Sequence, residues 1–312
     1  MLTTTQKKTA EAIINLFETS QVLGDYSKVT LISGDTGHLT YGRSQTTLGS
    51  GNLHELLQRY CANPGARFSA SLEPSLPKFS VRDLSLDNDL KLHNLLRACA
   101  DDQVMRDTQD SFFDDFYWQP AARTATRLGI STPLAVAVVY DSFVHGSWKA
   151  ISGRTTSQVG IVADVGERRW IAEYVATRRA WLATHSRSDL RATAYRMDAF
   201  QRLIDQNYWG LDLPLVVRGK EISTATLSET PPGCYDGPQP GTRALSLHSP
   251  MQRGLDVRLA QLGLSLTGID IKADGIFGQT SVRRFKEYQS CHDLPVTGVA
   301  DMELIAHLAS LV

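Results

Sequence analysis

Pro133-Leu-Ala-Val-Ala-Val-Val-Tyr140 is the stretch that most restricts how this 312-residue chain can fold. Its residues are apolar nearly all the way round a helical turn, so no face suits water and other helices must cover it on every side. Pro133 fits the first helical position, where a missing N–H costs nothing, and Ser131 or Thr132 supplies the cap. Asp141 then lies at the inner end of a buried helix. A carboxylate there needs a partner, and Arg178, on a later helical stretch, is the candidate.

The rest of the first 222 residues agrees with a mainly helical fold. Leu53-His-Glu-Leu-Leu-Gln-Arg-Tyr60 and Leu90-Lys-Leu-His-Asn-Leu-Leu96 carry apolar residues at helical spacing. Leu31-Ile-Ser33 and Tyr41-Gly-Arg-Ser-Gln-Thr-Thr47 read as short strands flanking a Gly- and Thr-rich turn. The hydrophobic fraction of 42% supports sizeable cores over a length that suits two domains. A net charge of −1 gives no global field for nucleic acid or an anionic membrane. No apolar run is long enough to span a bilayer, so no membrane insertion is expected. The N-terminus runs straight into the first helix without an apolar signal-peptide core, so we expect a protein made in the cytoplasm and delivered by a non-classical route. Cys61, Cys99, Cys234 and Cys291 form no C-x-x-C pair and read as isolated thiols, though the sequence leaves a Cys61–Cys99 bridge open.

Two carboxyls stand out. Glu18 closes the apolar helical stretch Ala10-Glu-Ala-Ile-Ile-Asn-Leu-Phe17, and Asp35 sits in the turn Gly34-Asp-Thr-Gly-His-Leu-Thr-Tyr-Gly42. Glycoside hydrolysis requires such a pair, one carboxyl kept protonated by an apolar wall and one kept ionised and wet. The chain has 33 acidic residues, most of which must be solvated surface, so the pair means little without its surroundings.

Those surroundings resemble the chitosanases of glycoside hydrolase family 46 over residues 6–222. The resemblance rests on Asn15-Leu-Phe-Glu18, Gly34-Asp35 with Thr40-Tyr-Gly42, and Gly49-Ser-Gly-Asn-Leu-His-Glu-Leu56. It continues through Gln109-Asp110, Tyr117-Trp-Gln-Pro120, Val139-Tyr-Asp-Ser-Phe-Val-His-Gly146, Tyr174-Val-Ala-Thr-Arg178 and Arg196-Met-Asp198. It implies an α+β, two-lobed, lysozyme-like catalytic domain, mainly α with a small β region. Glu18 would be the general acid, Asp35 the general base, and Thr40 the group that positions the attacking water. Asp141, Arg178 and Arg196 would form a buried charge network behind the acid. The reaction would invert the anomeric centre with no metal or cofactor. Tyr41, Tyr117 and Trp118 are candidates for stacking on sugars, although core packing suits them as well. His38, where the family usually carries Arg, and His185 are further candidates for substrate contact, whereas His145 reads as a packed, hydrogen-bonded residue.

Glu229-Thr-Pro-Pro-Gly-Cys-Tyr-Asp-Gly-Pro-Gln-Pro-Gly241 holds four prolines and three glycines and reads as an extended, exposed linker within 223–246. After it, Val257-Arg-Leu-Ala-Gln-Leu-Gly263, Ala273-Asp-Gly-Ile-Phe-Gly-Gln-Thr280 and Arg284-Phe-Lys-Glu-Tyr-Gln289 resemble a small three-helix peptidoglycan-binding module. Residues 247–312 are therefore expected to fold on their own, with Phe277 and Phe285 in the core.

The sequence departs from the chitosanase pattern at two places. Asn52 replaces an acid that would pair with a glucosamine ammonium, and an amide suits an acetamido group instead. Thr184-His-Ser-Arg187 places Ser186 and Arg187 where the family has acids, and Arg187 would repel glucosamine but attract the carboxylates of peptidoglycan. With the C-terminal resemblance, these point to hydrolysis of peptidoglycan glycan strands in the periplasm or on the cell wall, as by a secreted effector or an endolysin. An effector would also need an immunity protein as partner. The alternatives are a chitosanase acting on glucosamine polymers and a catalytically inactive wall-binding protein.

Overall fold

The computed structural model describes residues 2–32, 34–43 and 45–312. Ser33 and Ser44, in the expected strand regions, lie outside the described residues. The elements that frame the site are, in chain order, α1 (Thr4–Glu18), β1 (Val29–Thr30), β2 (Thr40–Tyr41), β3 (Thr46–Thr47), α2 (Asn52–Cys61) and α3 (Leu90–Cys99). They continue with α4 (Pro133–Val144), α5 (Glu167–Ala183), α6 (Tyr195–Asp205), α7 (Leu255–Leu266), α8 (Gln279–Cys291) and α9 (Met302–Ala309). The chain divides into two compact units, Met1–Gly24 with Phe113–Glu229, and Asp25–Phe112 with Thr230–Val312. No helix of the described residues is long and apolar enough to cross a membrane.

The first unit is helical and is built around α4. Every residue from Leu134 to Ser142 is buried, as the all-round apolar pattern demands. Ile13, Leu16 and Phe17 of α1, Ile171, Tyr174 and Val175 of α5, and Met197 and Phe200 of α6 share its core. Thr132 is the capping position of α4, but its side chain does not close the helix end. Glu167, at the start of α5, does so instead: its Oε1 accepts from the Ser131 and Thr132 amides at 2.8 and 2.7 Å and from the Thr132 hydroxyl at 2.9 Å. A carboxylate there also complements the positive end of the helix dipole. Helix α1 opens with a capping box in which the Gln6 amide donates to Thr3 Oγ1 and the Thr3 amide to Gln6 Oε1.

The second unit begins with a three-stranded antiparallel sheet in the order β1-β2-β3. Thr40 pairs with Thr30 on one side and Thr47 on the other. The first strand therefore falls at Val29–Thr30, two residues before the expected position, and the expected single strand over 41–47 is two strands joined by a turn. Gly42 makes that turn at φ +75°; a Cβ there would lie 2.2 Å from Gln109 Oε1, which accepts the Arg43 amide at 3.0 Å.

Residues 247–312 form three helices with their own core, in which Phe277 and Phe285 lie 5.4 Å apart. They do not stand alone, however. Every residue of α7 from Leu255 to Ser265 is buried. Val257, Ala260 and Leu264 face the module, while Leu255, Leu259 and Leu262 join Leu92, Leu95 and Leu96 of α3 in one continuous cluster. Asn94, itself buried, donates to the Ile271 carbonyl at 2.8 Å and accepts from the Ala273 amide at 2.9 Å. Arg258 pairs with Asp101 at 3.0 Å, both side chains buried. Burial lifts the Asp101 carboxyl to about 7 against the pull of Arg258 and the Tyr235 amide.

The expected exposed linker is likewise stitched down. Leu227 packs against the core of the first unit. In the second unit Cys234 is buried, the Tyr235 amide donates to Asp101 Oδ1 at 2.8 Å, Asp236 accepts from Arg106 at 2.8 Å, and the Gly233 carbonyl accepts from Arg258. Proline and glycine set the path of this segment, but its backbone polar groups find protein partners rather than water. All four cysteines are free thiols, so no Cys61–Cys99 bridge forms.

Candidate active site

Glu18 is the last residue of α1 and keeps 41% of its side chain exposed. Ile13, Ile14, Leu16 and Phe17, expected to wall the carboxyl, are all buried in the core. The carboxylate is held by Arg196, whose Nη1 donates to Glu18 Oε1 at 2.8 Å. The same guanidinium donates through Nε and Nη2 to Asp141 Oδ1 at 3.0 and 2.6 Å, and it lies over the Phe17 ring, 5.0 Å from the centroid. Arg178 closes the array with a 2.5 Å bond to Asp141 Oδ2. Asp141 thus sits between two arginines with neither of its oxygens unpaired.

This arrangement satisfies the demand that a carboxylate buried at the end of α4 be fully bonded. Burial by itself would raise the Asp141 carboxyl, but Arg196 and Arg178 more than offset it and hold the group below the ordinary aspartate value. Burial works against the charge on Arg196 as well; Asp141 and Glu18 outweigh it, so the guanidinium stays charged. Arg178 is anchored further by Ser142 Oγ at 3.0 Å, Ser147 Oγ at 3.2 Å and the Gly146 carbonyl at 3.3 Å. Ser142 in turn accepts from the Tyr174 hydroxyl at 2.8 Å. His145 Nδ1 lies 3.2 Å from Arg178 Nη2, which can only donate. Burial first, then Arg196, pushes the imidazole below its usual value, so it is neutral and accepts. It is the packed, hydrogen-bonded histidine expected.

The second carboxyl belongs to the other unit. Asp35 is exposed on the β1–β2 loop, and its Oδ1 accepts from the Gly37 amide at 3.2 Å, an Asx turn that fixes the carboxylate without burying it. Gly49 packs against this loop so closely that a Cβ would meet the Thr36 carbonyl at 2.2 Å. Thr40 is the first residue of β2, and its hydroxyl donates to the His38 carbonyl at 3.0 Å. With that proton committed, the Thr40 oxygen is left to accept. His38 adopts a left-handed backbone at φ +59°, and its Nδ1 lies 2.8 Å from Asp87 Oδ2. Asp87 Oδ1 also accepts from the Leu39 amide at 2.8 Å.

The remaining candidates divide. Asn52, half-buried, opens α2 with its amide donating to Ser50 Oγ at 3.2 Å. Tyr41 must be withdrawn as a sugar-stacking residue: it is fully buried in the core of the second unit. Trp118 is core too, packing on Tyr140, and Tyr117 is partly buried against Phe113. His185, past the end of α5, accepts the Arg187 amide at 3.1 Å and packs edge-on against Trp181. Arg187 is exposed and grips Asp189, two residues along the chain, through two bonds of 3.2 and 2.6 Å. Sequence reasoning missed Asp87, Ser142 and Ser147, ordinary polar residues until the fold shows what they hold.

A putative peptidoglycan binding domain matches residues 253–308. The chitosanase of Bacillus subtilis (strain 168) is 28% identical over 231 residues, covering 69% of this chain and 83% of the relative. A crystal structure of a chitosanase from Bacillus subtilis MY002 complexed with 6 GlcN matches 70% of this chain and 96% of its own at 26% identity, with a TM-score of 0.56. A chitosanase of Gynuella sunshinyii in complex with chitotetraose matches 71% and 98% at 26% identity, with a TM-score of 0.57. The model of glycosyl hydrolase family 46 matches residues 12–215, more than half of the sequence and the whole of the segment that carries Glu18, Asp35 and the Asp141 array, and the chain therefore belongs to that family and is a glycoside hydrolase.

Proposed function

We propose that this glycoside hydrolase cleaves β-1,4 bonds within glucosamine polymers and inverts the anomeric centre. Glu18 gives its proton to the departing glycosidic oxygen. Asp35 takes a proton from a water that attacks the anomeric carbon from the opposite face, and the Thr40 oxygen accepts that water's second hydrogen. One arrangement carries the reaction: Arg196 ties Glu18 to a fixed, hydrogen-bonded array, so the acid is aimed before substrate arrives and little is lost to reorganisation. The substrate class is supported by the relatives, which are chitosanases, two of them seen with 6 GlcN and with chitotetraose. The test is digestion of a glucosamine hexamer followed by proton NMR. Immediate products should carry the α-anomer; a β-anomer would refute the water-attack mechanism.

A second reading, cleavage of peptidoglycan strands, is favoured by the 253–308 match and by the Asn52 amide in place of an acid. Purified sacculi and chitosan digested side by side, with products weighed by mass spectrometry, separate the two. Faster release from sacculi would overturn the glucosamine assignment.

A further inference from the structure

We propose that Asp87 is the positioning residue of the Asp35 loop, holding His38 in its left-handed conformation and thereby fixing the base relative to the water-holding hydroxyl. The proposal rests on the catalytic reading of Asp35 and Thr40 given above. Residue 38 lies between the two groups, and each is tied to its immediate backbone. The Gly37 amide, one peptide before it, holds the Asp35 carboxylate, and the His38 carbonyl accepts from Thr40 Oγ1. Rotation about residue 38 would therefore displace both at once.

A side chain at φ +59° occupies a sparsely populated region that surrounding structure must enforce. Asp87 supplies the enforcement: one carboxylate takes the His38 ring on one oxygen and the Leu39 amide on the other, gripping two successive residues of the turn. Asp87 can serve because it is itself fixed. It stands on a short 3-10 helix, Leu84–Asn88, whose Leu86 is buried and whose Asp83 caps the Ser85 amide at 2.9 Å. The buried His93 ring binds the Leu86 carbonyl at 2.9 Å. On the other side, Leu39 has no exposure and its carbonyl accepts the Leu48 amide at 2.8 Å. The clamp joins two anchored points, and with the Gly49 amide, which donates to the Gly37 carbonyl at 2.9 Å, it sets the turn on both sides of the His38 Cα.

The test is a double-mutant cycle between Asp87→Ala and His38→Gly, with Asp35→Asn alongside, each checked for folding by circular dichroism. Asp87→Ala should lower kcat roughly 10- to 100-fold, the scale of a small misplacement, with little change in KM. Glycine adopts a left-handed backbone without help, so in the His38→Gly background the same change should lose most of its effect, a non-additivity that general destabilisation would not produce. If Asp87→Ala fails to fold, Asp87→Asn keeps an acceptor for the Leu39 amide and carries the same cycle. Additive effects, or wild-type kcat for the Asp87 variants while Asp35→Asn is inactive, would overturn the proposal. An active Asp35→Asn would instead refute the catalytic reading beneath it.

Discussion

Truncating Arg178 to alanine probes the array behind Glu18 most directly. Asp141 lies between Arg178 and Arg196, and Asp141 and Arg178 have no exposed side-chain surface. Arg178→Ala removes one positive charge and leaves Asp141 Oδ2 with no cation. It also strips donors from Ser142, Ser147 and the Gly146 carbonyl. Removing one member of a buried pair costs about 3–5 kcal/mol because the survivor stays charged and dry. At about 2–4 °C per kcal/mol for a domain of this size, the melting temperature should fall by roughly 6–20 °C. Activity should fall with it, because Arg196 would be drawn further towards Asp141 and away from Glu18. Arg187→Ala is the internal control: it breaks an equally short pair that is fully open to solvent, and it should leave the melting curve unmoved. Thermal denaturation followed by circular dichroism, with turnover measured on the same samples, is the assay. An Arg178→Ala melting temperature indistinguishable from wild type would refute the claim that the array is a dry, mutually dependent unit.

Glu18→Gln and Asp35→Asn should each cut turnover by ~10²–10⁴-fold while folding is retained; a variant keeping a substantial fraction of the wild-type rate would remove its residue from the mechanism. The stability gap between wild type and Arg178→Ala should depend on pH. Asp141 is held below its ordinary value, so the gap is full above an unfolded aspartate value of about 3.9 and closes as pH falls through the folded value. Urea titrations from neutral to acid pH would contradict this if the gap widened on acidification. Leu262→Ala, at the seam between α7 and α3, should destabilise the second unit by about 2–5 kcal/mol, and removal of residues 230–312 should leave the Asp35-bearing remainder unable to fold; a soluble truncated protein with a cooperative melt would show the seam to be dispensable. Asn52→Asp should shift preference towards glucosamine over acetylated polymer by a few-fold, read from initial rates on chitosans of graded acetylation, and an unchanged ratio would remove Asn52 from substrate recognition.

The parts of the site legible in sequence were those in which a residue contradicted its own surroundings. Asp141 ends a helix too apolar for a charge, and Glu18 closes another apolar helical stretch. The first conflict points to a partner, which Arg178 on a later helix supplies, whereas Arg196 came only with the family resemblance. Asp87 offered no such conflict: it is an acid in a polar segment, 49 residues from His38, and only the anchoring of Leu86 and Leu39 brings the two together. The Asp189 that neutralises Arg187 was in plain view two residues away. The seam between α7 and α3 is legible in the same way. Leu255, Leu259 and Leu262 on one face and Val257, Ala260 and Leu264 on another repeat the all-round apolar pattern that marked α4 as central. A helix of that kind cannot end a free-standing module, since half of its apolar surface would face water.

That two-sided helix has a consequence for how such an enzyme can be rebuilt. A domain joined by a tether can be exchanged for another carbohydrate-binding domain with the coding segment cut anywhere in the tether. Here a cut between residues 230 and 246 would sever the contacts of Tyr235 and Asp236 and bare Leu92, Leu95 and Leu96. A chimera would need the replacement's first helix to carry leucines in the register of Leu255, Leu259 and Leu262, and an arginine to meet Asp101. The C-terminal fold is in this sense an inherited half of the lobe that holds Asp35, and any surface it grips is presented to that lobe at a fixed angle and not on a leash.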